Sequence, residues 1–236
     1  KKHFEKFHVQ GSFALYDLKK GRWTIFNQGQ LKKPFTPAST FKICNSLIGL
    51  ETGVITDENF LITWDGIVRS RPEWNKDHDL KTAFKNSTVW YYQELARRVG
   101  GERMKKWLDR IGYGNADTIG GIDMFWVSGA LRITPEQQVL FLKNLYTGEL
   151  PFSKRTMEIV RRIMIAKETA AYTLRAKTGW GYQDGLDIGW YVGYLQTKSG
   201  VYFFAVCTQR PASEDPDFLR ARVEITLSIL KELNLM

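Results

Sequence analysis

The sequence predicts a mixed α/β fold in the α+β arrangement, in which helices flank a central antiparallel sheet and a helical lobe is inserted between its strands. Runs of β-forming residues lie near both ends of the chain, a helical and aromatic-rich stretch lies between them, and turn-like segments join neighbouring runs. The 236 residues, 43% of them apolar, suit one globular domain with a full core. We expect two lobes, a sheet lobe of residues about 1–54 and 166–236 and a helical lobe of residues about 55–165.

The N-terminal part predicts a β-hairpin followed by a buried helix. Gly11–Asp17 and Arg22–Asn27 are rich in β-forming residues, and the turn-like Leu18–Gly21 joins them. Apolar residues nearly encircle Ser39–Glu51 when it is drawn as a helix, which is typical of a helix buried on all sides. Gly53 is its expected end.

The remaining elements follow from periodicity. Apolar residues recur at helical spacing through the middle of the chain, where Pro135 suits the first turn of a helix and Thr134 its cap. Strand-like runs then return, and an amphipathic helix ends the chain. We expect helices at Val89–Val99, Glu102–Ile111, Pro135–Tyr146, Ser153–Ile165 and about Asp217–Leu233, an ordered loop at Gly112–Ser128, and strands at Thr173–Lys177, Asp187–Leu195 and Val201–Thr208.

Composition and charge exclude several classes of function. The formal charge is +9, but Lys and Arg are scattered in short pairs and form no basic stripe with interleaved aromatic residues. We therefore expect an attraction for anionic substrates or surfaces and no dedicated nucleic-acid binding. No stretch approaches the ~18 apolar residues that a membrane-spanning helix needs, so we expect no integral membrane segment.

The two cysteines and the start of the chain give limited information. Cys44 and Cys207 lie in apolar runs and are predicted to be small buried hydrophobic residues, and a disulfide between them stays open. The polar start Lys1–Lys6 is no signal peptide. By itself it fits either a cytosolic protein or a mature form that has lost its leader.

A serine and a lysine near the start of one helix are the first candidates for chemistry. Ser39 and Lys42 are three residues apart, so their side chains share one helix face. A buried lysine has a lowered pKa, and its neutral amine can take the proton of a serine nucleophile. The alternative is structural: Ser39 caps the helix and Lys42 reaches into solvent.

Two further sequence motifs add candidate catalytic residues to this serine–lysine pair. Ser87-Thr-Val89 supplies a second hydroxyl, and Lys177-Thr-Gly179 a second lysine at the end of a predicted strand. Each alone is equally typical of a helix cap or a strand end. The three histidines, His3, His8 and His78, lie in polar or loop segments and offer no base for a serine triad. No Cys/His metal spacing occurs, so no metal is expected.

In this order, and with Tyr113-Gly-Asn115 and Phe125-Trp126, these strings resemble the class D (oxacillinase-type) β-lactamases of the serine penicillin-recognising family. The resemblance runs from Gly11 to the C-terminal helix. It implies a β-lactamase/transpeptidase-like fold and hydrolysis of β-lactam antibiotics, penicillins foremost, through an acyl-Ser39 intermediate. The same strings also resemble the related β-lactam-sensing domains of membrane receptors, which are acylated at Ser39 and not turned over. A cell-wall transpeptidase is a more distant alternative.

The resemblance also implies a modified lysine. Carbon dioxide or bicarbonate, the only cofactor implied, would convert Lys42 into N6-carboxylysine, the general base for acylation and deacylation. The indole N–H of Trp126 would hold the added carboxylate, and Val89 and Val127 would form dry walls. The glutamate that serves class A enzymes as deacylation base has no counterpart here, since the acidic residues between Asn115 and Thr134 are Asp117 and Asp123.

The other implied roles fall on the remaining motif positions. Ser87 would pass a proton to the lactam nitrogen with the help of Lys177, and the backbone N–H groups of Ser39 and Trp180 would form the oxyanion hole. Gly179 allows close approach of the ligand. Thr178 and Arg220 would bind the substrate carboxylate, although Arg220 also suits a solvent-exposed position on its helix.

The partner implied is a small-molecule β-lactam. On this interpretation the chain is an exported mature form, periplasmic or secreted. The apparent carboxylate clamp and the dry-walled base pocket favour the hydrolase over the sensor. The sequence predicts neither the substrate spectrum nor the oligomeric state.

Overall fold

Six antiparallel strands form one sheet in the computed structural model, which describes residues 1–212 and 217–236. The strands are β1 (Gln10–Asp17), β2 (Arg22–Phe26), β3 (Ile165–Glu168), β4 (Tyr172–Gln183), β5 (Leu186–Thr197) and β6 (Val201–Pro211). Their order across the sheet is β2-β1-β6-β5-β4-β3, so both ends of the chain meet where β1 pairs with β6. This arrangement confirms the predicted fold class.

Helices cover both faces of this sheet. Helix α8 and the short α1 pack on one face, while α6 packs on the other and connects it to the remaining helices. Within the described residues the helices are α1 (Lys2–Glu5), α2 (Lys42–Glu51), α3 (Leu80–Asn86), α4 (Val89–Val99), α5 (Gly101–Ile111), α6 (Pro135–Thr147), α7 (Lys154–Ile163) and α8 (Asp217–Glu232).

Strand β6 shows why the central strands have continuous apolar sequences. Successive side chains point to opposite faces of a strand. Phe203 and Ala205 accordingly join the core shared with the helical lobe, whereas Phe204 and Val206 join the core under α8. Because both faces are covered, Val201–Cys207 of this strand is a continuous apolar run without polar alternation.

Most predicted elements are confirmed, with differences at their ends and in three short elements. The sequence analysis did not predict α1, α3 or β3, which have four, seven and four residues. Such short segments give too few periods for a recognisable pattern. Strand β4 continues to Gln183, six residues beyond the predicted end, through glycines that weaken a strand signal.

Cys44 and Cys207 are both buried and free, so the disulfide that the sequence left open is not formed. No helix in residues 1–212 or 217–236 combines the length and the apolar character needed to cross a membrane.

The capping interaction at the N-terminus of α6 is expected to stabilise the folded protein. Thr134 and Gln137 form a reciprocal capping box, in which each side chain bonds the other's backbone N–H at 3.0–3.1 Å. We expect Thr134→Ala to lower the free energy of unfolding by about 1 kcal/mol, measured by urea denaturation.

Thr147→Ala, at the exposed end of the same helix, is the matched control and should change stability by less than about 0.5 kcal/mol. Equal losses in the two variants would contradict the capping role of Thr134.

Candidate active site

A tight turn before α2 brings Ser39 and Lys42 together. Residues Ala38–Phe41 form a 3₁₀ turn and Lys42 begins α2. Side chains three residues apart eclipse in a 3₁₀ turn, and Lys42 Nζ lies 2.8 Å from Ser39 Oγ. The structure therefore excludes the alternative from the sequence, since Ser39 caps no helix and Lys42 is 1% exposed.

The surroundings of Lys42 favour its neutral amine. Burial, and secondly the positive charge of Arg71, lower the pKa of Lys42 from 10.5 to about 7. Its Nζ lies 5.3 Å from the ring centroid of Tyr92, on α4. At neutral pH a large fraction of Lys42 can therefore act as a base or a nucleophile.

The junction of α3 and α4 presents Ser87 to β4. Ser87 ends α3 in the left-handed conformation, with φ of 55°, and α4 begins two residues later. Its hydroxyl accepts a hydrogen bond from Lys177 Nζ at 3.0 Å. Burial lowers the pKa of Lys177 well below its usual value, and the charges of Lys42, Arg222 and Arg71 add to this.

Strand β4 lies directly against the serine turn because it carries glycines there. A Cβ on Gly179 would be 3.0 Å from the carbonyl oxygen of Pro37, and one on Gly181 would be 2.9 Å from Thr36 Cγ2. A larger side chain would push the strand away from Ser39. Beyond Ala176, no described residue pairs with the outer edge of β4, so its backbone is open to a ligand.

These elements enclose a cleft of about 480 Å³. Trp180 is half exposed within it, and its indole donates a hydrogen bond to Asp187 at 3.0 Å. The lining comprises Ser39, Ser70, Arg71, Trp74, Ser87, Val89, Val127, Thr178, Gly179, Trp180, Gly181, Tyr182, Asp187, Leu219 and Arg222.

The indole N–H of Trp126 lies beside this cleft and donates to no described residue. Its ring is fully buried and packs against Phe41, the neighbour of Lys42, with ring centroids 5.3 Å apart. Its Nε1–H has no hydrogen-bond partner among the described residues. A buried donor without a partner is costly, which points to an acceptor that is added later.

The Tyr113-Gly-Asn115 string is a structural support for the loop that carries Trp126. The side chain of Asn115 accepts from the backbone N–H of Arg132 at 2.9 Å and donates to the carbonyl of Ala130 at 3.0 Å. Gly114 has φ of +58°, and a Cβ there would collide with the Arg132 carbonyl. The string therefore holds the two ends of this loop together, because Asn115 is bonded to the backbone at residues 130 and 132.

Arg220, which the sequence analysis placed in the cleft, lies outside it, and Arg222 on the same helix lines the cleft instead. Arg220 points into solvent, where it pairs with Asp217 at 3.3 Å and Glu224 at 2.8 Å. Two residues on a helix point to nearly opposite faces, so Arg222 faces the cleft and is 8% exposed. The apolar positions 218, 221 and 225 mark the buried face of α8 and would have identified Arg222.

Arg222 is a buried cation that forms no ion pair with any of the residues that the structure describes. Its Nε and Nη1 have no hydrogen-bond partner within residues 1–212 and 217–236. Burial, together with the charge of Arg71, lowers the pKa of Arg222 to about 10. Two other lining residues, Arg71 and Asp187, were also missed by the sequence analysis, because nothing in their local sequence distinguishes them from loop and strand residues.

The structure thus brings together all but one of the residues selected from the sequence. Ser39, Lys42, Ser87 and Lys177 form two hydrogen-bonded pairs. Val89, Thr178, Gly179 and Trp180 line the cleft, Trp126 lies beside it, and Arg220 is the exception.

Comparison with known proteins agrees with this geometry. The family model of the penicillin-binding protein transpeptidase domain matches residues 11–231. The probable β-lactamase YbxI of Bacillus subtilis (strain 168) is 43% identical over 228 residues, which cover 97% of this chain and 82% of that protein. The crystal structure of the class D β-lactamase YbXI from Nostoc superposes with a TM-score of 0.95 at 46% identity, covering 100% of this chain and 98% of that one.

A third relative differs in its described role. The regulatory protein BlaR1 of Bacillus licheniformis is 37% identical over 228 residues, which cover 96% of this chain but 37% of that longer protein. The two β-lactamases are matched over 82% and 98% of their own length. The chain therefore belongs to the class D β-lactamases, within the penicillin-binding protein transpeptidase family.

Proposed function

We propose that this protein hydrolyses β-lactam antibiotics, penicillins foremost, through an acyl ester on Ser39. The observation that carries the proposal is the pair of the half-buried Ser39 and the buried Lys42, with Lys42 Nζ 2.8 Å from Ser39 Oγ and a lysine pKa of about 7. Acylation needs a serine beside a base that is unprotonated at neutral pH, and this pair meets that condition without a histidine.

In the acylation step, Ser39 Oγ attacks the lactam carbonyl carbon and gives up its proton to the base at position 42. The lactam C–N bond then breaks, and the ring nitrogen receives a proton from the Ser87 hydroxyl. Lys177 Nζ donates a hydrogen bond to Ser87 Oγ at 3.0 Å, which stabilises the developing negative charge on that oxygen, and the lowered pKa of Lys177 favours transfer of its proton to Ser87. A water molecule subsequently attacks the ester and restores Ser39.

Lys42 is proposed to work as N6-carboxylysine. The residues fit this group, because a neutral amine is needed to react with carbon dioxide and the buried Trp126 N–H can donate to the new carboxylate. When present, the group supplies an anionic base beside Ser39. Val89 and Val127 line the same cleft and exclude water from one side.

Two further features fit a β-lactam. Arg222 and Thr178 line the cleft beside Lys177, and Arg222 has free N–H donors among the described residues for the carboxylate common to these antibiotics. Gly179 and Gly181 keep β4 close to the serine turn, so the backbone N–H groups of Ser39 and Trp180 can serve as the oxyanion hole.

A β-lactam sensor is the second candidate, favoured by the likeness to the regulatory protein BlaR1. Both candidates form the same acyl ester, and they differ in whether water releases it. We propose the hydrolase in an exported, periplasmic or secreted form, since its substrates act outside the cytoplasm.

The first prediction concerns acylation and turnover. Incubation with benzylpenicillin should add the mass of the intact antibiotic to Ser39 and then release it, with steady-state hydrolysis measured by absorbance. Ser39→Ala should show neither adduct nor hydrolysis. An adduct that persists would identify the sensor, and an unlabelled wild-type Ser39 would exclude both candidates.

The second prediction concerns bicarbonate and pH. Below pH 7 the amine of Lys42 becomes protonated and cannot be carboxylated, so penicillin hydrolysis in bicarbonate-free buffer should fall as the pH drops from 7.5 to 6. Added bicarbonate should restore activity. Activity that is indifferent to bicarbonate at both pH values would show that Lys42 acts as a bare amine.

The third prediction concerns the Trp126 indole. Trp126→Phe keeps an aromatic ring against Phe41 but removes the N–H. We expect it to raise the bicarbonate concentration for half-maximal activity and to slow deacylation more than acylation, by at least about tenfold for the loss of one charge-assisted hydrogen bond.

Trp107→Phe, on α5 and outside the cleft, is the matched control and should change neither quantity. Equal slowing of both steps by Trp126→Phe, with unchanged bicarbonate dependence, would contradict the assigned role.

A further inference from the structure

Arg71 is an exposed cation at the mouth of the cleft. It lies on the loop before α3, on the wall formed by the helical lobe, and it lines the same cleft as Ser39 and Ser87. Its guanidinium carbon lies 5.1 Å from the ring centroid of Trp74, which also lines the cleft. Stacking of this kind fixes the plane of the guanidinium while leaving its N–H donors available.

The loop that carries Arg71 is held firmly. Arg69 and Asn75 exchange two hydrogen bonds, from Arg69 N–H to Asn75 Oδ1 at 2.8 Å and from Asn75 Nδ2 to the Arg69 carbonyl at 3.0 Å. The indole of Trp74 donates to the carbonyl of Asn86, at the end of α3, at 3.0 Å. Arg71 is therefore presented on a pre-organised support, which reduces the entropy lost when a ligand binds.

The charge of Arg71 has no acidic side chain beside it among the described residues, whereas Arg69 on the same loop pairs with Asp65 at 2.6 Å. Arg71 instead lies near other cations, since its charge contributes to the lowered pKa values of Lys42, Lys177 and Arg222. A cation placed among cations opposes folding, and a negative charge brought by a ligand relieves that repulsion.

The cleft holds one more cation than the common β-lactam carboxylate requires. Arg222 on α8 and Thr178 on β4 line the cleft and already offer donors for that carboxylate. Arg71 lies on the loop before α3, a different element of the cleft from Arg222. Among the described lining residues the one carboxylate is Asp187, which accepts from the Trp180 indole.

We propose that Arg71 forms a second anion subsite, which binds a carboxylate or sulfonate carried on the acyl side chain of a β-lactam. This proposal rests on the β-lactam function proposed above and specifies its substrate class. The planar guanidinium can grip either group through two N–H donors. Dianionic penicillins should accordingly be favoured over penicillins of the same shape that carry one negative charge.

Three penicillins that differ at a single carbon of the phenylacetyl side chain test this. Benzylpenicillin has hydrogen there, carbenicillin a carboxylate and ampicillin an ammonium group. We expect Arg71→Gln to lower kcat/KM for carbenicillin relative to benzylpenicillin by about tenfold, the effect of one charge-assisted hydrogen bond. The same variant should raise the value for ampicillin relative to benzylpenicillin, and Arg71→Lys should keep most of the carbenicillin preference.

Two controls make the test specific. Lys76→Gln removes the same charge from an exposed position on the same loop outside the cleft, and it should leave both ratios unchanged. All assays use saturating bicarbonate, because Arg71 also lowers the pKa of Lys42. An equal loss for all three penicillins in Arg71→Gln would show that Arg71 serves the common carboxylate or Lys42, and would overturn the second subsite.

The same assays distinguish a wrong subsite from a wrong β-lactamase function. If the adduct on Ser39 is not released, acylation rate constants from intact-protein mass spectrometry replace kcat/KM and the same ratios decide the proposal. If none of the three penicillins acylates wild-type Ser39, the β-lactam function and the subsite are both overturned.

Discussion

The burial of Lys42 beside Ser39 is the constraint on which the rest of the site depends. A solvated lysine is an ammonium ion at neutral pH and can neither accept a proton nor react with carbon dioxide. Desolvation lowers its pKa to about 7, while the 3₁₀ turn holds its nitrogen 2.8 Å from Ser39 Oγ. The Tyr92 ring from α4 and the loop around Trp126 help to enclose it, so elements distant in sequence together create one chemical property.

The burial that lowers the pKa of Lys42 also lowers the stability of the folded protein. Lys42, Lys177 and Arg222 are all buried, and desolvation is the largest cause of the lowered pKa of each. Burying these basic groups costs solvation energy, as does burying the Trp126 N–H, which has no partner among the described residues. Two apolar cores, one on each face of the sheet, offset this cost. Substrate and the proposed carboxylate would each bring a negative charge to the cleft.

The candidate site could be predicted wherever its residues are close in sequence or lie on one periodic element. The spacing of Ser39 and Lys42 predicted their contact, and the structure places them in hydrogen-bond contact. Arg220 was the wrong choice between two arginines on α8, although the apolar stripe at 218, 221 and 225 contained the information to select Arg222. Arg71 could not have been predicted as a cleft residue, because a loop has no regular repeat from which the direction of a side chain can be read.

The sequence by itself determined the longer strands and helices along the chain, the fold class and the local serine–lysine pair. These follow from hydrophobic periodicity and from spacing within one helical turn, which depend only on near neighbours. The tertiary structure alone decided that Lys177 contacts Ser87, 90 residues away in sequence, and that Arg222 and not Arg220 lines the cleft. It also left the Trp126 N–H without a partner in residues 1–212 and 217–236. The burial of a side chain and the repulsion between buried charges depend on all the residues packed around them. They are therefore set only when the helices have packed on both faces of the sheet.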